Sequence, residues 1–200
     1  PNLLSAASVA MLYRSLFAYP VGPVNSFLTS LGFWSTRVGE NGQIIQEAFN
    51  FFRSVPMTRG IVSFIQWWLW TGSTLILLIA GIVGISPSIF ESAMIDGANK
   101  TQRAWYITIP LLRPMMLYLL ITSMIGGMQM FEIPFLLTDM RGGPDYKIRT
   151  MMVYFYNTAF QGGNNYAYGA AISVGIFIIT LILAVIIFFM MRERQTKVTE

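Results

Sequence analysis

The residue types that carry most covalent catalysis are missing from this chain of 200 residues: it has no His and no Cys. Without His there is no ordinary general base near neutral pH, no Ser-His-Asp arrangement and no common transition-metal site. Without Cys there is no disulfide framework, thiolate zinc site or cysteine nucleophile. No Gly-x-x-x-x-Gly-Lys-Ser/Thr loop is present to cradle a nucleotide phosphate. The sequence therefore offers no catalytic residues, no metal ligands and no cofactor motif. What remains is the chemistry of recognition, and it is concentrated in two places. Glu91, Asp96, Lys100 and Arg103 are gathered in the stretch 86–110. Glu132 is a single acid in an otherwise apolar run, just after Gln129, Met130 and Phe131.

The elements that must hold these residues follow from where charge is absent. The chain is 54% hydrophobic and only 11% charged, against about 25% charged in an average soluble domain. Mean hydropathy is +0.57. There is no charge from Gly60 to Phe90, none from Pro114 to Phe131, and none from Thr150 to Met191. A bilayer core about 30 Å thick needs about 20 apolar helical residues. The gaps predict membrane spans over 61–85, 114–137 and 168–191, with a kink near Pro134. A fourth span is expected over 1–19, interrupted by Arg14. A chain this short has too little polar surface to bury three such helices in water. The fold class is therefore all-α: a polytopic transmembrane bundle of about four spans in a single domain. The pI is near 9.5, but the net charge is only +4 and no basic cluster alternates with aromatics, so nucleic acid is not a partner.

Connecting segments carry the polar residues. The stretch 20–60 contains Ile44–Arg53, whose apolar positions share one helical face and predict an amphipathic helix at the interface. The stretch 138–167 is rich in loop signals, including Arg141 and Gly162-Gly163-Asn164-Asn165. The stretch 86–110 has internal design. Ser88-Ile-Phe-Glu91 reads as a capping box opening a short helix through Ile95. Gly97 is free to take positive φ and end it. Asn99-Lys-Thr-Gln102 starts a second short helix, and Pro110 and Pro114 frame the next span. The result is a helix–turn–helix elbow whose apolar face holds Ile89, Phe90, Ala93 and Met94.

Alternating spans place 86–110 and the tail on one side with Lys100, Arg103, Arg113, Arg192, Arg194 and Lys197. Arg37, Arg53, Arg59, Arg141, Lys147 and Arg149 fall on the other side over longer stretches. By density of positive charge the first side is cytoplasmic, with 20–60 and 138–167 outside. Trp67, Trp68 and Trp70 then read first as interfacial anchors, and second as rings for stacking on a sugar. Thr71 lies beside them.

The spacing within the elbow points to a family. Glu91-Ser92-Ala93, three residues, Gly97, nine residues, then Ile107-x-Ile109-Pro110 resembles the Glu-Ala-Ala loop of binding-protein-dependent ABC importer permeases. Ser92 stands for an alanine and Ile109 for a leucine. The resemblance covers the whole chain and is greatest to the sugar-importer branch, in particular to the first permease of the maltose type and glycerol-phosphate type. Pro1-Asn2-Leu3-Leu4-Ser5 through Leu16-Phe17 resembles that branch's third span, and Gly22-Pro-Val-Asn25 its following loop. Ile95-Asp96-Gly97-Ala98, Gly142-Gly143-Pro144, Tyr154-Phe-Tyr156 with Ala159-Phe160, and Tyr168-Gly-Ala-Ala-Ile-Ser173 are similar to further stretches of it. On this resemblance the chain holds spans three to six.

The resemblance implies a multi-pass permease subunit of an ATP-driven sugar importer in the bacterial cytoplasmic (inner) membrane. It implies a permease core of type I and no enzymatic activity of the chain's own. It implies as partners an ATP-binding cassette ATPase dimer, a second permease subunit of different but homologous sequence, an extracytoplasmic solute-binding protein and membrane lipid. The elbow becomes a coupling helix seated on the ATPase through Glu91, Ser92, Ala93, Asp96, Gly97 and Ala98, with Glu91 and Ala93 facing it. Gly126-Gly-Met-Gln-Met-Phe-Glu132 resembles the stretch that touches sugar, so Gln129, Met130, Phe131 and Glu132, with Trp68 and Thr71, are the candidate substrate path. Met130 stands where that permease has a polar contact. Two other readings fit the spans without the elbow: an ion-coupled secondary carrier, which needs a relay of intramembrane acids, and a non-transporting membrane scaffold.

Overall fold

The computed structural model describes residues 3–38, 43–140, 142–162 and 165–191. They fall into two compact units, Pro1–Trp70 with Gln129–Ile172 and Thr71–Met128 with Ser173–Glu200. Arg141, Gly163, Asn164 and the basic tail with Arg192, Arg194 and Lys197 lie outside the described residues.

Three stretches are long and apolar enough to cross a membrane: Val55–Val83, Arg113–Leu137 and Tyr166–Met190. They coincide with the three gaps in charge. Helix α3 (Val55–Val83) begins ahead of the expected residue 61. It takes in Pro56 at its second position, where no helical bond is lost because a first-turn N–H has no intrahelical acceptor. Its 29 residues rise about 43 Å, more than the hydrocarbon core requires. Helix α10 (Tyr166–Met191) carries no charge and turns large apolar side chains outward over most of its length, among them Val174, Phe177, Ile178, Leu181, Ile182 and Val185. Such a surface is stable only against lipid or neighbouring helices.

In the first unit, helix α1 (Ala6–Leu16) is capped by the Ser5 hydroxyl, which accepts from the Ser8 N–H at 3.2 Å. Its 11 residues rise about 16 Å, so the helix occupies only part of the span expected over 1–19. Val9 and Ala10 of α1 enter a core with Val62, Ile65 and Leu69 of α3 and with Ile133, Leu137 and Ile148. Helix α2 (Pro23–Ser30) places Asn25 fully inside the protein. The Asn25 amide nitrogen donates to the Ala18 and Phe49 carbonyls at 2.9 and 3.0 Å, and its oxygen accepts from the Phe49 N–H at 3.0 Å. One side chain thus satisfies the backbone of two loop segments that have no ladder of their own.

Among the described residues the fold is helical but for one hairpin. Strands β1 (Ser35–Val38) and β2 (Ile44–Glu47) pair antiparallel, with Ser35 opposite Glu47 and Val38 opposite Ile44. This corrects the amphipathic helix expected over Ile44–Arg53. The apolar spacing is there, but Ile44 and Ile45 are β-branched and favour an extended chain. The strand opposite supplies the hydrogen bonds that a helix would have made internally, and the hydrogen bonds of Asn25 to Phe49 hold the following chain out of helix. Both isoleucines remain exposed.

Candidate functional site: an elbow and a broken span

The elbow belongs to the second unit. Helix α4 (Pro87–Ile95) starts one residue before the expected cap, with Ser86 at the N-cap position and no side-chain cap bond. The expected capping box of Ser88 and Glu91 is therefore not formed. Pro87 is pre-set for the first helical position, and this puts Ser88 inside the helix, where its hydroxyl pairs with that of Ser86 at 2.8 Å. Glu91 has no capping duty and is exposed beside Ser92.

The end of α4 matches its expectation closely. Gly97 has φ +79°. The Ala98 N–H donates to the Ala93 carbonyl at 2.9 Å and the Gly97 N–H to the Met94 carbonyl at 3.1 Å. These are the two bonds of a Schellman closure, which satisfies carbonyls the helix leaves open. A Cβ on Gly97 would meet nothing within 4 Å, so backbone angle rather than space requires glycine here. The spacing from Ala93 to Gly97 and Ala98 is thus the spacing of the closure. Ala93 is 8% exposed and packs inward in the chain by itself. Outward from α4 stand Glu91, Ser92, Met94 and Ile95, with Asp96 following. Ile95 is 87% exposed; its apolar character gives no sign in the sequence that it stands on the outward surface.

Beyond the turn, helix α5 (Lys100–Arg103) opens with a full capping box. The Asn99 side chain accepts from the Gln102 N–H at 2.8 Å, and the Gln102 side chain accepts from the Asn99 N–H at 2.9 Å. A π-helical turn, Ala104–Thr108, leads into helix α6 (Ile109–Leu111) and helix α7 (Arg113–Met128). Pro110 has no N–H to give a helical acceptor, and the wider turn comes directly before it.

The charge-poor run that starts at Pro114 does not continue as one helix. After Met128 the chain is non-helical through Gln129–Phe131 and resumes as helix α8 (Glu132–Leu137). The discontinuity therefore precedes Pro134 rather than falling on it. Pro134 is the third residue of α8, where its missing N–H costs nothing. Non-helical backbone at membrane depth is tolerated only where protein or a water-lined cavity satisfies it. Here the Thr150 hydroxyl donates to the Met130 carbonyl at 2.7 Å while accepting from the Val153 N–H at 3.2 Å, so it also caps helix α9 (Met151–Tyr156). Phe131 stacks on Phe135 with centroids 4.7 Å apart and meets Tyr156 at 5.0 Å.

Of the candidate path residues in this unit, Gln129 and Glu132 are exposed, Phe131 is half-buried, and Met130 and Trp68 pack against the core. The Glu132 carboxylate sits in the first turn of α8, where the helix dipole favours an anion. Thr71 is half-buried on α3 and belongs to the other unit. Thr150 and Tyr156 support the break but were not expected from sequence; they lie some 20 residues or more downstream, and no local pattern links them to it. Arg14, which interrupts an apolar stretch, has its reason in α8. It donates to the Leu136 carbonyl at 2.9 Å and forms an ion pair with Asp139, and α1 packs along α8.

Long lipid-compatible helices, one of them broken where a polar side chain answers the backbone, define a multi-pass integral membrane protein with a discontinuous span. No protein-family model matches the chain. It is 30% identical over 195 residues to the lactose transport system permease protein LacF of Rhizobium radiobacter, covering 98% of this chain and 61% of that one. It is 29% identical to the arabinooligosaccharides transport system permease protein AraP of Bacillus subtilis, covering 93% and 55%. A putative ABC transporter permease protein of Caldicellulosiruptor sp. is 30% identical over 128 residues, 64% of this chain and 89% of that one. The crystal structure of a bacterial ABC transporter that imports the acidic polysaccharide alginate superposes with a TM-score of 0.78 at 26% identity, over 98% of this chain and 63% of that one. The chain belongs to the ABC transporter permeases. It spans about three-fifths of the length of LacF and of the alginate importer chain.

Proposed function

We propose that the chain is the transport core of a permease subunit in an ATP-driven, solute-binding-protein-dependent importer of a sugar or sugar derivative. It sits in the bacterial cytoplasmic membrane as a multi-pass protein, with 86–110 on the cytoplasmic side and 20–60 and 138–167 outside. It hydrolyses nothing itself. An ABC ATPase dimer, a second, homologous permease subunit and an extracytoplasmic solute-binding protein complete the machine. The substrate class is supported by relatives whose names specify lactose and arabinooligosaccharide transport.

The observation that carries this reading is the elbow. A short helix closed by a Schellman turn at Gly97 and followed at once by a capped second helix is a rigid body. It lies between two membrane-crossing stretches. Such a body can pass a displacement from a moving partner to the spans without deforming. Glu91, Ser92, Met94, Ile95 and Asp96 form the surface offered to the ATPase, while Ala93, Gly97 and Ala98 hold its shape. The substrate path runs by the break at Gln129–Glu132, where irregular backbone and polar side chains fall within an apolar stretch, with Trp68 of the same unit.

The test is uptake into proteoliposomes containing the complete importer. Internal ATP and external binding protein should both be required. Glu91→Lys should abolish ATP-driven uptake while the loaded binding protein still docks. Uptake driven by an ion gradient without ATP refutes the reading, and normal transport by Glu91→Lys refutes the coupling role.

A further inference from the structure

We propose that the first unit carries a second ligand site, separate from the broken span, that takes a hydroxyl-rich ligand of the saccharide class. The site is a cavity of about 560 Å³ lined by Asp139, Met140, Tyr146, Arg149, Asn157 and Gln161. That volume lies within the roughly 300–1,000 Å³ typical of small-molecule sites. None of the residues proposed for the substrate path lines it.

Two side chains there are built for a partner that the described residues do not provide. Asn157 is 9% exposed, and its Oδ1 is buried without a hydrogen bond. Arg149 has its Nε buried and likewise unpartnered. Buried polar side-chain atoms almost always have partners, so each exception needs a reason. Arg149 is not loosely placed. Its guanidinium carbon lies 4.7 Å from the Tyr154 ring centroid and 5.3 Å from that of Tyr146. Behind it, Gly142 has φ +77°, and a Cβ there would come within 2.6 Å of the Arg149 Cα. The Gly142-Gly143-Pro144 motif thus lets the chain close up against the arginine. Asn157 opens a π-helical turn, Asn157–Gln161, a distortion that is frequent at functional sites. Asp139, Met140 and Tyr146 adopt φ of 52°, 64° and 60°. Side chains rarely tolerate such angles, and they gather where function requires the geometry.

The inventory of donors and acceptors selects the ligand. Arg149 can only donate, the Asp139 carboxylate can only accept, and Asn157 Oδ1 needs a donor. A bare anion answers Arg149 and leaves Asn157 unmatched, while Asp139 already pairs with Arg14. A bare cation does the reverse. A hydroxyl donates and accepts at once, and it also suits either orientation of the Asn157 amide. Several hydroxyls on one compact molecule match the whole lining.

The ligand class follows from the cavity alone; that the same molecule is the cargo rests on the importer reading. The experiment measures binding without ATP, using the full-length subunit in lipid nanodiscs and equilibrium dialysis against lactose, sucrose, maltose and raffinose. At least one should bind, and Asn157→Leu and Gln161→Ala should each weaken it tenfold or more. Phe177→Ala, at an exposed position outside both the cavity and the proposed substrate path, should leave that binding unchanged. Empty Asn157→Leu protein should melt no lower than wild type, because its buried Oδ1 has no hydrogen bond to lose. Failure of all four sugars to bind overturns the proposal, as does binding that resists both pocket variants but is lost in Gln129→Ala. Inorganic phosphate or choline displacing the sugar assigns the cavity to ions instead and also overturns it. ATP-driven uptake with Glu91→Lys judges the importer reading independently, since that residue is far from the cavity in sequence and belongs to the other unit.

Discussion

Replacing Gly97 tests whether the elbow's shape, rather than its side chains, carries its role. At φ +79° an L-residue brings its Cβ too close to its own carbonyl oxygen, at a cost of roughly 1–2 kcal/mol. No neighbour adds to this, since an added Cβ would meet nothing within 4 Å. If residue 97 turned instead to a right-handed angle, the bonds from Ala98 to Ala93 and from Gly97 to Met94 would break, each worth about 0.5–1.5 kcal/mol net. The two costs are similar, so Gly97→Ala keeps the turn but strains it. Local opening should become easier by roughly 1–2 kcal/mol, which is about a 5- to 30-fold acceleration. Amide hydrogen exchange at Ala98 measures this directly, alongside ATP-driven uptake by the same variants. Asn visits the left-handed region more readily than Ala, so Gly97→Asn should exchange more slowly and transport better than Gly97→Ala despite its larger side chain. Gly97→Pro cannot take the angle and has no N–H for Met94, so coupling should be lost altogether. If Ala outperforms Asn, space and not backbone angle governs the turn, and the reasoning is refuted. Exchange at Ala98 unchanged in Gly97→Ala refutes it equally.

Other outcomes follow from the broken span. Thr150→Val removes the donor to the Met130 carbonyl and the cap of α9, and should destabilise the protein by about 1–3 kcal/mol in thermal unfolding; Thr150→Ser should recover most of it, and equal loss in both variants would mean that packing of the methyl group matters instead. Glu132→Gln should impair sugar uptake with little change in melting temperature, since the carboxylate is exposed and has no part in the core; wild-type uptake removes Glu132 from the path.

How much of this was legible beforehand depended on the range of the interaction. Gaps in charge located every long helix, because the bilayer imposes its length on each segment separately. Gly97 was legible because a helix end is decided within a few residues. The capping box expected at Ser88 and Glu91 does not form, for a reason that is also local: Pro87 claims the first helical position. The second helix does start at Asn99-Lys-Thr-Gln102, as its sequence indicates. The hairpin was not legible, since Ile44 and Ile45 suit either period until a strand is present to pair with them.

Sequence by itself determined the solvent, the location of the three long apolar stretches, the absence of His and Cys chemistry and the elbow whose spacing marks the family. Tertiary structure decided which polar groups meet. Arg14 finds Asp139 across 125 residues, Thr150 reaches back to Met130, and Arg149 and Asn157 line one cavity. A helix or turn is selected by neighbours along the chain, whose energies a local pattern records. A side chain's distant partner is selected by how the helices pack, and only the folded protein brings those groups within bonding distance.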